Sequence, residues 1–473
     1  MRASQLAKRS GELPEDWTRL TMADVGHWFG GGTPSKANAR FWTGGNIPWV
    51  SPKDMKFDLI TDAQDHITED AVKQSSTNLV EAGSILIVVR SGILQHTLPV
   101  AVAQRQVALN QDLKAVKPRE VIRADYLALA LKAFEREILH TCTKTGTTVQ
   151  SLELPVFLRF QIPVAPLPEQ RRIVAEIEKQ FTRLEAGVAA LRRVQANLKR
   201  YRAAVLKAAC EGLLVPTEAE QAKKEKRPYE TGETLLSHIL DERRKNWKGR
   251  GKYKEPSAPV PLADVILPAG WTWAGFEQLA NGMKNAIKAG PFGSSLKKSF
   301  YTPSGFKIYG QEQVIKGDPY YGDYFISHEL FEKLQSCEVK PGDILISLVG
   351  TTGKIIILPD DCAPGIINPR LLKLSLNRSG VNPKFIKVLL ESVTTRAFFK
   401  LAAHGGTMEI LNLGILKSLP IALPPLAEQT RIVAEVERRL SVVEELEAVV
   451  FSNLQRATRF RQSILQNAFT GEL

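Results

Sequence analysis

Cysteine is scarce in this 473-residue chain. There are four, Cys142, Cys210, Cys337 and Cys362, with no C-x-x-C pair and no adjoining pair of histidines. That spacing argues against a zinc site or a disulfide framework and sets the expectation of a reducing, cytoplasmic environment. The seven histidines are scattered, and no H-E-x-x-H, nucleophile triad or two-carboxylate pattern can be assembled. Long hydrophobic runs are missing too. Stretches such as 85–89 fall far short of the ~20 apolar residues of a membrane helix, and the opening MRASQLAKRSGELPEDW lacks the apolar core of a secretory signal. No G-x-G-x-x-G opens a helix after a strand. The GTTGK at 350–354 is followed by Ile355 instead of Ser or Thr, so it reads as a turn between strands and not as a phosphate loop. Asp318-Pro319-Tyr320-Tyr321 and Asn368-Pro369-Arg370-Leu371 each lack the second proline of a [DN]-P-P-[YFW] amino-methyltransferase loop, and both read as turns. A chain with no catalytic constellation and no cofactor loop is expected to recognise or assemble, and to leave chemistry to others.

What is present is ordinary globular material. Hydrophobic residues make up 44% and charged residues 24%, enough for real cores, and the length suits two to four domains. Lys+Arg number 63 against 50 Asp+Glu, a net +13 that points to a polyanionic partner.

The strongest signal is an internal repeat. Residues 166–178 read PLPEQRRIVAEIE and residues 425–437 read PLAEQTRIVAEVE, with ten of 13 positions identical at an offset of 259. The same offset aligns GSILI at 83–87 with GDILI at 342–346, and KTGTT at 144–148 with AHGGT at 403–407. LPEDW at 13–17 faces LPAGW at 267–271. Residues 26–79 and 282–334 barely align. One mount written twice, with unlike variable parts, implies two different readouts.

Each copy has two parts. Residues 13–168 and 262–427 carry short apolar strands between Gly, Pro, Asn and Asp, for example 83–89, 108–116, 342–348 and 371–376, interrupted by helical stretches at 124–141 and 384–402. That mixture predicts a compact α+β domain. A long proline-free helix follows in each copy, at 169–210 within a segment reaching 216, and at 428–469 within a segment reaching 473. The apolar residues Ile173, Ile177, Leu184, Leu191 and Leu198, and Ile432, Val436, Leu440, Val443 and Leu454, follow the 3/4 spacing of a coiled-coil seam. The fold class predicted is therefore α+β, a tandem duplication of a mixed domain plus helix, with the helices pairing as an antiparallel coiled coil. Residues 1–12 read as an N-terminal extension and 217–261 as a charged linker holding one short helix at 234–247. The first domain is neutral, while the first long helix has ten basic against four acidic residues, among them Arg192-Arg193 and Lys199-Arg200.

The words L-P-x-x-W at 13–17 and 267–271, P-L-x-E-Q-x-x-I-V-x-x-[IV]-E at 166–178 and 425–437, and the closing FTGEL at 469–473 carry a resemblance. So does ERRKNW at 242–247 followed by YKEP at 253–256. The chain resembles the specificity subunit of type I restriction–modification enzymes. The first copy departs in ending CEGLL at 210–214, so FTGEL is intact once. The resemblance implies that each α+β domain is a target-recognition domain reading one half of an asymmetric, bipartite double-stranded DNA site. It implies that the helices space the halves and dock two methyltransferase subunits, with restriction subunits joining. S-adenosylmethionine, ATP and magnesium are then expected on those partners, with no cofactor, metal or membrane contact for this chain.

Base reading needs polar side chains on rigidly held loops. The candidates in the first domain are Lys36, Lys53, Arg90, Ser91, Gln95 and His96, with the glycine–threonine loop Lys144, Thr145, Thr147, Thr148 and Gln150. In the second they are Lys297, Lys298, Gln311 and Gln313, with the equivalent loop His404, Gly405, Gly406 and Thr407. An adenine-methyltransferase-like enzyme and a non-specific DNA-binding coiled-coil scaffold are the competing readings. The first lacks its two loops, and the second leaves two diverged domains unexplained.

Overall fold

The computed structural model describes residues 13–144, 149–247, 252–262, 265–348, 353–402 and 411–473. The extension 1–12, the loop residues Thr145, Thr147, Thr148, His404, Gly405, Gly406 and Thr407, and positions 350–352 of the GTTGK turn lie outside the described residues. The chain divides into two units, Met1–Arg193 with Val450–Leu473, and Val194–Val449.

In the first unit a five-stranded sheet runs in the order Gly26–Gly30, Leu113–Pro118, Ile85–Val88, Val100–Ala103, Leu59–Ile60. Ile85–Val88 is buried at every position, as a continuous apolar run demands of a central strand. A four-stranded sheet has the order Asp65–Ile67, Ile47–Val50, Val107–Leu109, Leu79–Val80. Its middle pair is parallel, with Trp49 opposite Ala108. A third pairing, Thr18–Thr21 with Gln161–Val164, closes the domain onto its own helix start. The helical stretch predicted as one piece at 124–141 is two helices, Ala124–Ala133 and Glu135–Cys142. Phe134 joins them at φ −92°, ψ 8°, which lets its ring turn inward against Phe160.

Among the described residues the second unit repeats this topology without the counterparts of the edge strands Leu59–Ile60 and Leu79–Val80. Ile287–Ala289, Leu371–Leu374, Ile344–Ser347 and Ile355–Ile357 form one sheet in that order. Phe325–Ile326, Phe306–Tyr309 and Gly365–Ile367 form the other, again with its Phe306–Tyr309 and Gly365–Ile367 pair parallel. Thr272–Ala274 pairs with Ile421–Leu423. The stretch at 384–402 likewise breaks in two, Pro383–Glu391 and Val393–Ala402. The segments that barely align in sequence thus share one fold, because strand order depends on the apolar pattern and not on residue identity. Two close approaches keep glycine in both copies: a Cβ on Gly31 would lie 1.8 Å from the Asn110 carbonyl oxygen, and one on Gly290 would lie 1.8 Å from that of Asn368.

The long helices are Leu167–Cys210 and Leu426–Thr470, of 44 and 45 residues, each starting two residues before its predicted position. Pro168 sits in the first turn, where no helical N–H is needed. In the first unit the start of one helix and the end of the other share the domain core. Ile173 and Ile177 pack there with Ile464, Leu465, Ala468 and Phe469, and the Phe469 ring meets Tyr126 edge-on at 5.0 Å. Arg461 pairs with Glu185 at 3.0 Å and lies 4.2 Å above the Phe181 ring. In the second unit Ile432 and Val436 share a core with Val205, Leu206 and Ala209, and Arg202 pairs with Glu444 at 3.2 Å. Within each unit the helices therefore run antiparallel.

The seam differs from the prediction in one respect. Ile173, Ile177, Ile432 and Val436 belong to domain cores shared by both helices, since the first turns of each helix lie against the sheet strands. Leu184 and Leu440 flank those cores. Leu198 and Val443 are buried, and Leu191 and Leu454 are half-buried. Tyr201, Leu446 and Phe460 continue the same spacing but are exposed.

The segment read as a linker is also more structured than predicted. It contains Glu218–Glu225 as well as Gly232–Lys245, and Leu235 and Ile239 enter the core of the second unit. Glu218, 5% exposed at its side chain, is gripped by Arg227 and Arg431 at 2.6 Å each. Charge composition alone hid these anchors, because Glu218 finds one of its two partners, Arg431, 213 residues along the chain.

Candidate nucleic-acid interface

The recurring motif words build a mount. Trp17 Nε1 donates to Glu169 Oε2 at 3.0 Å, and Trp271 Nε1 donates to Glu428 Oε1 at 2.8 Å. Each links the L-P-x-x-W tryptophan to the glutamate that opens its long helix. The glutamine of the same motif does more. Gln170 Oε1 accepts from the Arg123 amide at 2.9 Å, while its Nε2 donates to the carbonyls of Val121 and Ala165 at 2.9 and 2.7 Å. Gln429 Oε1 accepts from the Asn382 amide at 2.8 Å and its Nε2 donates to Gly380 and Pro424 carbonyls at 3.2 and 3.0 Å. Buried polar groups satisfied this fully specify one docking geometry. Burial pushes the Glu428 carboxyl above the usual carboxylate range, opposed by the Glu218 amide, Trp271 and Arg431.

Beyond the mount, a second constellation recurs around one shared asparagine while its neighbouring side chains differ. In the first domain the segment Asn110-Gln111-Asp112 is a hub. The Asn110 amide donates to Val50 O at 2.9 Å, and Asn110 Oδ1 accepts from the Asp112 amide at 2.6 Å. Asp112 O accepts from the Val89 amide at 2.9 Å. In the second domain Asn368 donates to Tyr309 O at 2.8 Å and its Oδ1 accepts from the Arg370 amide at 2.9 Å, while Arg370 O accepts from the Leu348 amide at 3.0 Å. The backbone bonds match, so Asp112 and Arg370 occupy the same place in the fold.

Several predicted residues of the first domain gather around this hub. Arg90 Nε lies 2.9 Å from the buried Oδ1 of Asp112. The Ser91 amide donates to Gln150 O at 3.0 Å. Lys144 is exposed opposite Ser151 in the hairpin that follows. Gln95 and His96 are exposed at the end of the short turn Gly92–Gln95, which Ser91 caps. Lys36 is exposed and follows Thr33, whose hydroxyl donates to Gln111. Lys53 is exposed and pairs with Asp65 at 2.8 Å, which raises its ammonium pKa.

In the second domain Gln311 Nε2 donates to the buried Ser347 hydroxyl at 2.7 Å, and Arg370 Nη1 donates to Gln311 Oε1 at 3.4 Å. Lys297 and Lys298 are exposed, but they lie on a turn whose Leu296 belongs to a separate small core. Gln313 is a correction to the expected readers. It is 1% exposed, its Oε1 caps the helix by accepting from the Gly310 amide at 2.9 Å, and its Nε2 donates to Tyr321 O at 2.8 Å. A buried side chain with its hydrogen bonds made offers no edge to DNA. Sequence reasoning missed Asp112, Arg370, Ser347 and Phe292. Phe292 is 86% exposed, two residues after Gly290 on the loop lying against Asn368. The signal that would have found the hub is the repeated N-x-x-L at 110–113 and 368–371.

Among the described residues no group of three or more His, Cys, Asp or Glu could hold a metal ion, and no helix is long and apolar enough to cross a membrane. Two copies of one mount, each carrying a hub with a different side chain at the same place, define a class: tandem recognition domains on paired helices. The sequence matches the family described as Type I restriction modification DNA specificity domain over residues 14–190 and 291–445, and the chain belongs to that family. It is 42% identical over 197 residues to the EcoR124I/EcoR124II specificity subunit of Escherichia coli, a match covering 41% of this chain and 48% of that one. The chain thus spans about half the length of that relative. With the EcoKI specificity subunit of E. coli K12 it shares 22% identity over 488 residues, covering 98% and 90% of the two chains. A chain solved in work on complex assembly and conformational transition of the type I R-M system superposes with a TM-score of 0.65 at 19% identity. That match covers 98% of this chain and 100% of the other, and shows a shared fold.

Proposed function

We propose that this chain is the DNA specificity subunit of a type I restriction–modification complex. Its two domains read the unlike halves of a bipartite double-stranded DNA site, and its helices space those halves and carry two methyltransferase subunits, with restriction subunits joining. The observation that carries this reading is the matched pair of hubs: identical backbone bonds around Asn110 and Asn368, with Asp112 in one copy and Arg370 in the other. A scaffold held constant while the side chains built on it change is what two different half-sites require. The chain itself is non-catalytic. S-adenosylmethionine, ATP and magnesium sit on the partner subunits, and the complex works in the cytoplasm.

Exposed apolar surface on the helices supports docking of partners. Leu184, Val188, Leu191 and Phe460 line an open groove of about 580 Å³ in the first unit. Val442, Leu446 and Val449 are exposed in the second. The test is methyl transfer from labelled S-adenosylmethionine to DNA, by the pure chain and by the chain with its methyltransferase subunits. Transfer is expected only with the subunits, on adenine, at one bipartite site. Robust transfer by the pure chain would show it to be an enzyme, and sequence-independent binding in competition assays would show it to be a scaffold.

A further inference from the structure

Arg370 is an exposed arginine held in place from both ends. Asn368 fixes its backbone amide, and Gln311 takes one guanidinium nitrogen, Nη1. Gln311 is itself held by the fully buried Ser347 hydroxyl. Arg370 is exposed, and among the described residues no other side chain hydrogen-bonds or ion-pairs with its guanidinium, so Nε and Nη2 are not engaged by them. A phosphate contact can also be made by an untethered point charge such as lysine's, so it does not require this tether. Reading a base edge needs orientation. An arginine that presents two N–H groups in a plane matches the O6 and N7 acceptors of guanine in the major groove. The same fold position in the first domain carries Asp112 beside Arg90. Copies that read unlike half-sites need unlike base readers, and the residue at this position differs between them.

We propose that Arg370 is a specificity-determining residue of the second domain, contacting guanine directly, with Gln311 and Ser347 as its positioning residues. This assignment rests on the function proposed above. Its test is methylome sequencing of cells carrying the full chain with its methyltransferase subunits, comparing wild type with Arg370→Ala, Arg370→Lys and Gln311→Ala. Arg370→Ala should relax one guanine position in one half-site, lowering discrimination there on the order of 10- to 100-fold, and leave the other half-site intact. Arg370→Lys should relax the same position, because charge alone does not restore two-point recognition. Gln311→Ala should relax that position by a smaller factor. Retention of every specified base in Arg370→Ala, or restoration of full specificity by lysine, overturns the assignment while the wild-type bipartite site upholds the general function. A wild-type chain that directs no bipartite methylation overturns both.

Discussion

Replacing Gln170 by alanine should loosen the first domain from its helix. The side chain is 0% exposed and makes three hydrogen bonds, to the Arg123 amide and the Val121 and Ala165 carbonyls. Alanine leaves one donor and two acceptors without that partner, the Ala165 carbonyl buried and the Arg123 amide and Val121 carbonyl part-buried, at about 1–3 kcal/mol for each buried group left unpaired. With partial relaxation of the two carbonyls, a loss of about 3–4 kcal/mol is expected. For a unit of this size each kcal/mol lowers the melting temperature by roughly 2–4 °C, so the first unit should melt roughly 10 °C lower. Differential scanning calorimetry of the full chain is the assay. The transition of the second unit, which holds the equivalent Gln429, should stay in place. Gln170→Glu adds a pH test. One carboxylate oxygen can accept from Arg123, but the other faces two carbonyl oxygens, which disfavours the ionised form. The folded pKa of that glutamate is then raised above its ordinary ~4.3. Stability is fully present below the unfolded value and is lost as pH rises through the raised folded value. Gln170→Glu should therefore melt closer to wild type at pH 5 than at pH 8. A Gln170→Ala protein melting within ~2 °C of wild type would refute the reasoning, as would a glutamate variant that tracks wild type across that range.

Three further outcomes are expected. Replacing residues 262–427 by a copy of 13–168 should turn the methylated site into one with two like half-sites, read by methylome sequencing; an unchanged site would contradict separate readers. Four residues inserted at 186–190 lengthen the first helix by ~6 Å, near two base-pair steps of ~3.4 Å. That variant should keep both half-site sequences and widen the unspecified gap between them, and an altered half-site with the old gap would dismiss the helix as a spacer. Burial pushes the Cys210 thiol up to about 12, against the opposing hydrogen bond from Ser392. Native protein at pH 8 should therefore alkylate at Cys210 far more slowly than unfolded protein, followed by peptide mass spectrometry, and equal rates would contradict that burial.

The duplication, the α+β character of each domain and the two long helices were legible from residue identities alone. Repeated words and apolar spacing are local properties, and the buried strands Ile85–Val88 and Ile344–Ser347 announce themselves by the apolar runs 85–88 and 344–346. The roles of the motif residues were not legible. Nothing in P-L-x-E-Q says that Gln170 reaches Arg123 and Val121, 47 and 49 residues away, because a hydrogen bond across the fold leaves no periodic trace. The linker misled for the same reason: Glu218 looked like one charge among many until Arg431, 213 residues on, was seen to grip it. Gln311 and Gln313 show the limit most sharply. Two residues apart and chemically identical, they were equivalent candidates in the sequence. Tertiary structure separated them, since two positions along the helix Gln311–Lys316 turn by ~200°, which aims Gln313 inward to cap at Gly310 and leaves Gln311 half-buried between Ser347 and Arg370. Sequence pattern determines which segments are buried and how often they recur, while long-range packing decides which polar side chain is left facing outward, because that depends on what the rest of the chain brings against it.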